Sequence, residues 1–164
     1  GQIIQPWFYN QLRTEEQLGY IVNASYSPLL EAPGVALIVQ SPDVDSATIA
    51  ERMDDFLHQA QARLEALSDE ELAAHRQAVH DRLRQRDTSL QGMANRYWQA
   101  TALEEIRFDR RERLAELALD VTPEALQTLW PELLGHRLDI RFDPGDAPSD
   151  ITAYRNARAS FNER

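Results

Sequence analysis

The chain has 164 residues, 43% of them hydrophobic, with 27 acidic against 17 basic side chains, a formal charge of -10 and no cysteine. That length supports one domain able to bury roughly two thirds of its unfolded surface. The charge argues against nucleic acid and anionic membrane as partners, and the missing thiol excludes cysteine nucleophiles, thiolate metal sites and disulfides. Every basic residue is arginine, so lysine Schiff bases and phosphate loops of the GKS or GKT type are excluded too. No run approaches the ~18 apolar residues of a spanning helix, and no charged start precedes a short apolar core. The expectation is a soluble chain without its own targeting segment.

Ile3, Ile4, Trp7, Phe8 and Leu12 recur at three- and four-residue steps, the pattern of an amphipathic helix. It begins almost at residue 1 without a cap, which reads as a piece of a longer chain, and Pro6 suits only a helix start or a kink. Gly19 stands where the helix should stop, in a position that calls for positive φ. Tyr20–Ser27 and Val35–Ser41 are rich in β-branched and aromatic residues, and PLLEAPG between them carries turn chemistry, predicting an antiparallel hairpin.

Asp43 or Asp45 then caps a helix whose stripe is Ile49, Met53, Phe56, Leu57, Ala60 and Leu64. Ser68 with Glu71 forms a capping box for the next helix, which has acids in its first turn and Arg82, Arg84 and Arg86 toward its end. Further helices are predicted from about Leu90 to Leu103 and from Asp109 to Leu119, with a junction near Arg107 and Phe108. Thr122, Pro123 and Glu124 open another, which Pro131 should end. LDIRF, Leu138–Phe142, alternates like a strand; DPGDAPSD after it reads as a loop, and residues 150–164 as a weak helix or frayed tail.

This order predicts an α+β domain over residues 1–142, an antiparallel sheet covered on one face by several helices, followed by a loop and C-terminal tail at 143–164. Three strands are few for such a face. The fold is therefore expected to be N-terminally truncated, lacking its first strand or strands and leaving an exposed sheet edge open to self-association.

Motifs for self-contained chemistry are missing. Neither HExxH nor HxxEH occurs, and His75 and His80, five residues apart, lie about 140° apart around a helix at 100° per residue. His58 and His136 have no partner by spacing. There is no GxSxG, GxGxxG or DxDxDG string. Tyr97 and Trp98 in NRYWQA read as helix packing, and the arginines of RFDRRER, interleaved with acids, as a solvated, ion-paired face.

FYNQLRTEEQLGYIV, by contrast, resembles a segment from the C-terminal half of the pitrilysin and insulin-degrading enzyme family of zinc metallopeptidases, and GQIIQPWFYNQLRTEEQLGY is most similar to its bacterial members. The similarity continues more loosely through the hairpin, the VQS strand end, the long helices, RYW and RFDRR to LDIRF. It implies the fourth, non-catalytic domain of four similar α+β domains, of the type shared with mitochondrial processing peptidases. Zinc would sit in the N-terminal domain of the parent enzyme, with no cofactor in this chain, and the location would be periplasmic.

The resemblance also implies roles for particular residues. The family's fourth domain presents an arginine and a tyrosine seven residues apart at a helix end, glycine and strand; here these match Arg13 and Tyr20, with Gly19 permitting the turn. Tyr20 would donate a hydrogen bond to the oxygen of a peptide carbonyl as it gains charge, a catalytic role, and Arg13 would grip substrate backbone. Glu15 departs from the basic or neutral residue common in the family. The partners implied are the N-terminal zinc-bearing half and peptide substrates, and the piece alone is expected to be inactive.

Other readings of the same residues are that Arg13 pairs with Glu16 or Gln17 on its own helix and that the Tyr20 ring sits in the core. For the chain as a whole the alternatives are a helical or sheet-edge interaction module without a peptidase role, and a hydrolase using unpaired carboxylates, for which no motif exists.

Overall fold

A computed structural model of the chain describes residues 1–28, 32–102 and 108–143. Part of the PLLEAPG turn, the Arg107 junction, Leu103 and the loop and tail from residue 144 onward lie outside the described residues.

The first helix, α1 (Ile4–Tyr9), begins without a side-chain cap, and Pro6 falls in its first turn, where backbone N–H groups have no helical acceptor. At Asn10 the winding widens into a π-helix that runs to Glu15. Its apolar face stays inward: Ile4, Phe8 and Leu12 are buried, Phe8 and Leu12 completely. Two strands follow, β1 (Ile21–Tyr26) and β2 (Val35–Gln40), paired antiparallel with Val22 opposite Val39 and Ala24 opposite Leu37. These four residues form the face turned to the core, and α1 packs on β1.

Helix α2 (Ser46–Glu65) is capped by Asp45, whose carboxylate accepts from the Thr48 backbone N–H at 2.8 Å. Its predicted stripe closes the core: Phe56, Leu57, Ala60 and Leu64 are buried, and Phe56 meets Phe8 edge to face with ring centroids 5.0 Å apart. Burying each such ring contributes about 1.5–3 kcal/mol. Helix α3 (Asp69–Arg84) starts at the Ser68–Glu71 capping box with both reciprocal bonds made. It packs chiefly on α5 (Arg110–Leu119), around Leu72 and Ala115, apart from the main core. In the sequence, α4 (Leu90–Ala102) falls between these two helices.

Helix α6 (Pro123–Gly135) opens as expected, with the Thr122 hydroxyl accepting from Ala125 N–H, but Pro131 does not end it. Trp130 and Leu134, on either side of the proline, both pack against the main core, and α6 lies along α2. That burial offsets the ~3 kcal/mol a proline costs inside a helix.

The chain is thus α+β, with helices on one face of an antiparallel sheet, but that sheet has two strands, not three, among the described residues. LDIRF makes no ladder. Alternation sets which side chains share a face, whereas a strand also needs a backbone to pair with, and no strand among the described residues pairs with it. No helix among the described residues is long and apolar enough to cross a membrane.

Candidate functional site

The junction singled out in the sequence is built by the π winding. In a π-helix the hydrogen bonds run from i to i+5, so side chains five apart come together. Asn10 donates to Glu15 at 2.6 Å and Gln11 to Glu16 at 3.1 Å. Glu16 then accepts from Arg52 on α2 at 2.7 Å, and Arg52 reaches Asp55 at 3.0 Å. The helix end is thereby clamped to the core helix behind it. Glu16 is committed to this network, and the residue five beyond Arg13 is the buried Leu18, so the pairing with Glu16 or Gln17 does not form. The Arg13 side chain makes no hydrogen bond or ion pair among the described residues, and it is half-buried.

Beyond Glu16 the backbone turns through Gln17, the residue with positive φ (53°), and Leu18 N–H bonds back to Leu12 C=O at 2.9 Å. The wrap-back spans six residues, one more than an α-helix end uses, because the turn it closes is wider. Gly19 is needed for a different reason than the one expected from the sequence. A Cβ there would lie 2.7 Å from the Gln40 carbonyl oxygen and 3.0 Å from a Val39 methyl, so its missing side chain admits the end of β2. Tyr20 N–H bonds to that same Gln40 oxygen at 2.8 Å, and its ring is 76% exposed, outside the core. Arg13 and Tyr20 therefore flank the two ends of the Leu12–Leu18 bond, the one partnerless and the other open to solvent. The apolar crevice of about 70 Å³ between Ile4, Leu64, Trp130 and Leu133 lies elsewhere and contains neither.

The remaining candidates separate from this junction. His80 approaches Asp81 at 3.0 Å and Glu116 at 3.8 Å, joining α3 to α5. No group of three or more metal-ligating side chains occurs among the described residues. Tyr97 and Trp98 are not packed inside, as the sequence suggested. Trp98 is 74% exposed, while Tyr97 meets Phe108 edge to face at 5.5 Å and carries the Arg96 guanidinium over its ring at 4.5 Å.

Within RFDRRER the expected ion pairing is made by Arg111, but that side chain is half-buried and not on a solvated face. Arg111 donates to the carbonyls of Leu83 and Gln85 at the end of α3, and shares Asp87 with Arg96. The hydrogen bond from Arg96, helped by the charges of Arg96 and Arg111 and opposed by burial, holds the Asp87 carboxyl below the usual carboxylate range. Sequence reasoning missed this knot and the Glu16–Arg52 clamp, since both join residues far apart in the chain.

Comparison with known proteins places this junction in context. The chain is 38% identical over 161 residues to Protease 3 of Salmonella typhi, a match covering 98% of this chain and 16% of that protein. To the insulin-degrading enzyme of Homo sapiens it is 28% identical over 133 residues, 81% of this chain and 13% of the other. A crystal structure of pitrilysin superposes with a TM-score of 0.74 at 34% identity, over 84% of this chain and 15% of that one. The chain thus spans about a sixth of the length of Protease 3. Residues 1–98, which include the whole junction, match the family described as PQQ synthase PqqF-like, C-terminal lobe domain 4. With more than half of its length in that match, the chain belongs to the PqqF-like C-terminal lobe domain 4 family, the pitrilysin type of peptidase domain.

Proposed function

We propose that this chain is the fourth domain of a periplasmic, pitrilysin-like zinc metalloendopeptidase, closing over the active site of the N-terminal zinc domain and holding the backbone of the peptide substrate. Zinc, bound by that other domain, would supply electrophilic activation of the scissile carbonyl. Tyr20 donates its phenolic hydrogen to the carbonyl oxygen as negative charge develops there, an interaction stronger in the transition state than in the ground state. Arg13, permanently charged and with several N–H donors, holds neighbouring backbone carbonyls without selecting side chains. Gly19 sets where Tyr20 leaves the sheet.

The observation that carries this reading is the exposure of Tyr20, at the same helix-to-strand junction that carries Arg13, whose side chain has no partner among the described residues. The surrounding structure spends the Gln11–Glu16–Arg52 network on fixing the backbone between the two, and leaves both functional ends open.

In the full-length parent enzyme, Tyr20→Phe is expected to retain fold and zinc while lowering kcat by roughly 10²- to 10³-fold, the loss typical of one transition-state donor. Arg13→Ala should lower kcat/KM, with part of the effect in KM. Unchanged turnover of several unrelated peptides by Tyr20→Phe would overturn the assignment.

The reading of the chain as an interaction module without a peptidase role draws on the exposed Trp98 and Phe108. It predicts that Trp98→Ala abolishes capture of a partner protein while Tyr20→Phe leaves peptide turnover untouched.

A further inference from the structure

The winding at the end of α1 has a rival that the same sequence allows. In an α-helix side chains four apart meet, which would bring Gln11 to Glu15. In the π turn side chains five apart meet: Gln11 donates to Glu16 at 3.1 Å, and Asn10 donates to Glu15 at 2.6 Å. Either register gives Gln11 a carboxylate, so its pairing alone does not select between them. Since π winding is rare next to α, a contact from outside the segment has to favour it.

Arg52 on α2 reaches in from outside. Its Nε donates to Glu16 at 2.7 Å, and another arm of the guanidinium is held by Asp55, three residues along α2, at 3.0 Å. Glu16 is the carboxylate that the π register brings to Gln11, and Arg52 holds it there. Gln11 depends on that contact: its side chain is 6% exposed and its Oε1 meets no donor among the described residues, so the buried amide is oriented by Glu16 alone.

The clamp is distinct from the packing beneath it. Helices α1 and α2 are already joined through Phe8 and Phe56, both fully buried with ring centroids 5.0 Å apart. The Arg52 and Glu16 side chains are 42% and 17% exposed, and a partly exposed ion pair adds little to global stability. What it governs is local. The Leu18 N–H to Leu12 C=O bond closes the turn between Arg13 and Tyr20. Rewinding residues 10–15 as α-helix would change the rotation per residue, swing Arg13 around the axis, and leave a bond spanning six residues without its wider turn.

We propose that Arg52, acting through Glu16, is a positioning residue of the Arg13–Tyr20 site: it selects the π register at the end of α1 over the α register, and so sets how both side chains are presented to the peptide. This rests on the assignment of Arg13 and Tyr20 to peptide cleavage.

Turnover, melting and hydrogen exchange of the full-length parent enzyme test this together. Arg52→Met keeps an unbranched stem and removes both donors. It is expected to lower kcat/KM by roughly 10- to 100-fold, as small misplacements of reacting groups do, while Tm stays within about 2 °C of the parent. Amides over residues 16–20 should exchange ~10-fold faster or more, with α2 as protected as before. Arg52→Gln, whose amide nitrogen stands where the arginine Nε does, should restore most of both. In a Tyr20→Phe background Arg52→Met should cost ~3-fold or less, because the group it aims is already lost.

Unchanged exchange over residues 16–20 in Arg52→Met would overturn the proposal. So would an equal cost of Arg52→Met in the parent and Tyr20→Phe backgrounds, or a loss of activity that follows a lowered Tm, which makes the contact merely structural. The two readings fail separately. Full turnover by Tyr20→Phe removes the site assignment, and exchange over residues 16–20 still reads whether Arg52 holds the register; impaired turnover by Tyr20→Phe with additive costs keeps the assignment and removes Arg52 from it.

Discussion

At the scale of single residues the junction depends on one atom's absence. Adding a methyl at Gly19 places carbon 2.7 Å from a backbone carbonyl oxygen that already accepts from Tyr20, so neither partner can retreat without breaking the bond that starts β1. An alanine also restricts the unfolded chain, which favours folding by about 0.4–1 kcal/mol. Overpacking costs about 1–3 kcal/mol and should win. Gly19→Ala is therefore expected to lower the Tm of the full-length enzyme and, by shifting the Tyr20 backbone, to reduce kcat further than the stability loss explains. A raised Tm would show that the strand end yields. The sequence read Gly19 as the positive-φ residue of the turn; the positive φ belongs to Gln17 instead, because the π winding moves the helix end two residues earlier.

At the scale of elements, what was legible was local. The Ser68–Glu71 box and the Thr122–Pro123 start lie within four residues and formed as read. Pro131, Tyr97, Trp98 and LDIRF were misread because each depends on something distant: the core under Trp130, and, among the described residues, the exposure of the α4 aromatics and the absence of a strand paired with LDIRF. Asp87 shows how much distance hides. Nine residues before Arg96 and 24 before Arg111, it ties α4 to the end of α3 and the start of α5. Since its pKa in the folded state is lowered, its contribution is present above the ordinary carboxylate value and is lost as pH falls from about 4 through the lowered value. Asp87→Asn removes the charge at nearly constant shape. At neutral pH it should speed amide exchange across α4 while α2 stays unchanged, and an acid-induced loosening of α4 seen in the parent should be absent from the variant. Equal exchange in α4 would mean that the arginines hold it without the carboxylate.

At the scale of the whole molecule, the packing divides in two. Phe8, Leu12, Phe56, Leu64 and Trp130 join α1, the sheet, α2 and α6 in one cluster, whereas Leu72 and Ala115 sit outside it, between α3 and α5. Arg13 and Tyr20 belong to the first unit. Stability that is carried by separate clusters is lost in separate steps, each cluster opening at its own free energy. Leu72→Ala, at a site 1% exposed, should cost about 2–5 kcal/mol of local stability. In the full-length enzyme that loss should appear as faster exchange in α3 and α5 alone, with β1, β2 and α6 as protected as before and peptide turnover preserved. Phe56→Ala, costing about 3–5 kcal/mol, should instead open α1, the hairpin and α2 together, and turnover should fall with them because the backbone that aims Tyr20 rests on that ring. If Leu72→Ala loosened the Phe8–Phe56 cluster as much as its own helices, the two units would be one cooperative body. Turnover would then depend on every buried residue alike, and not on the cluster beneath the junction.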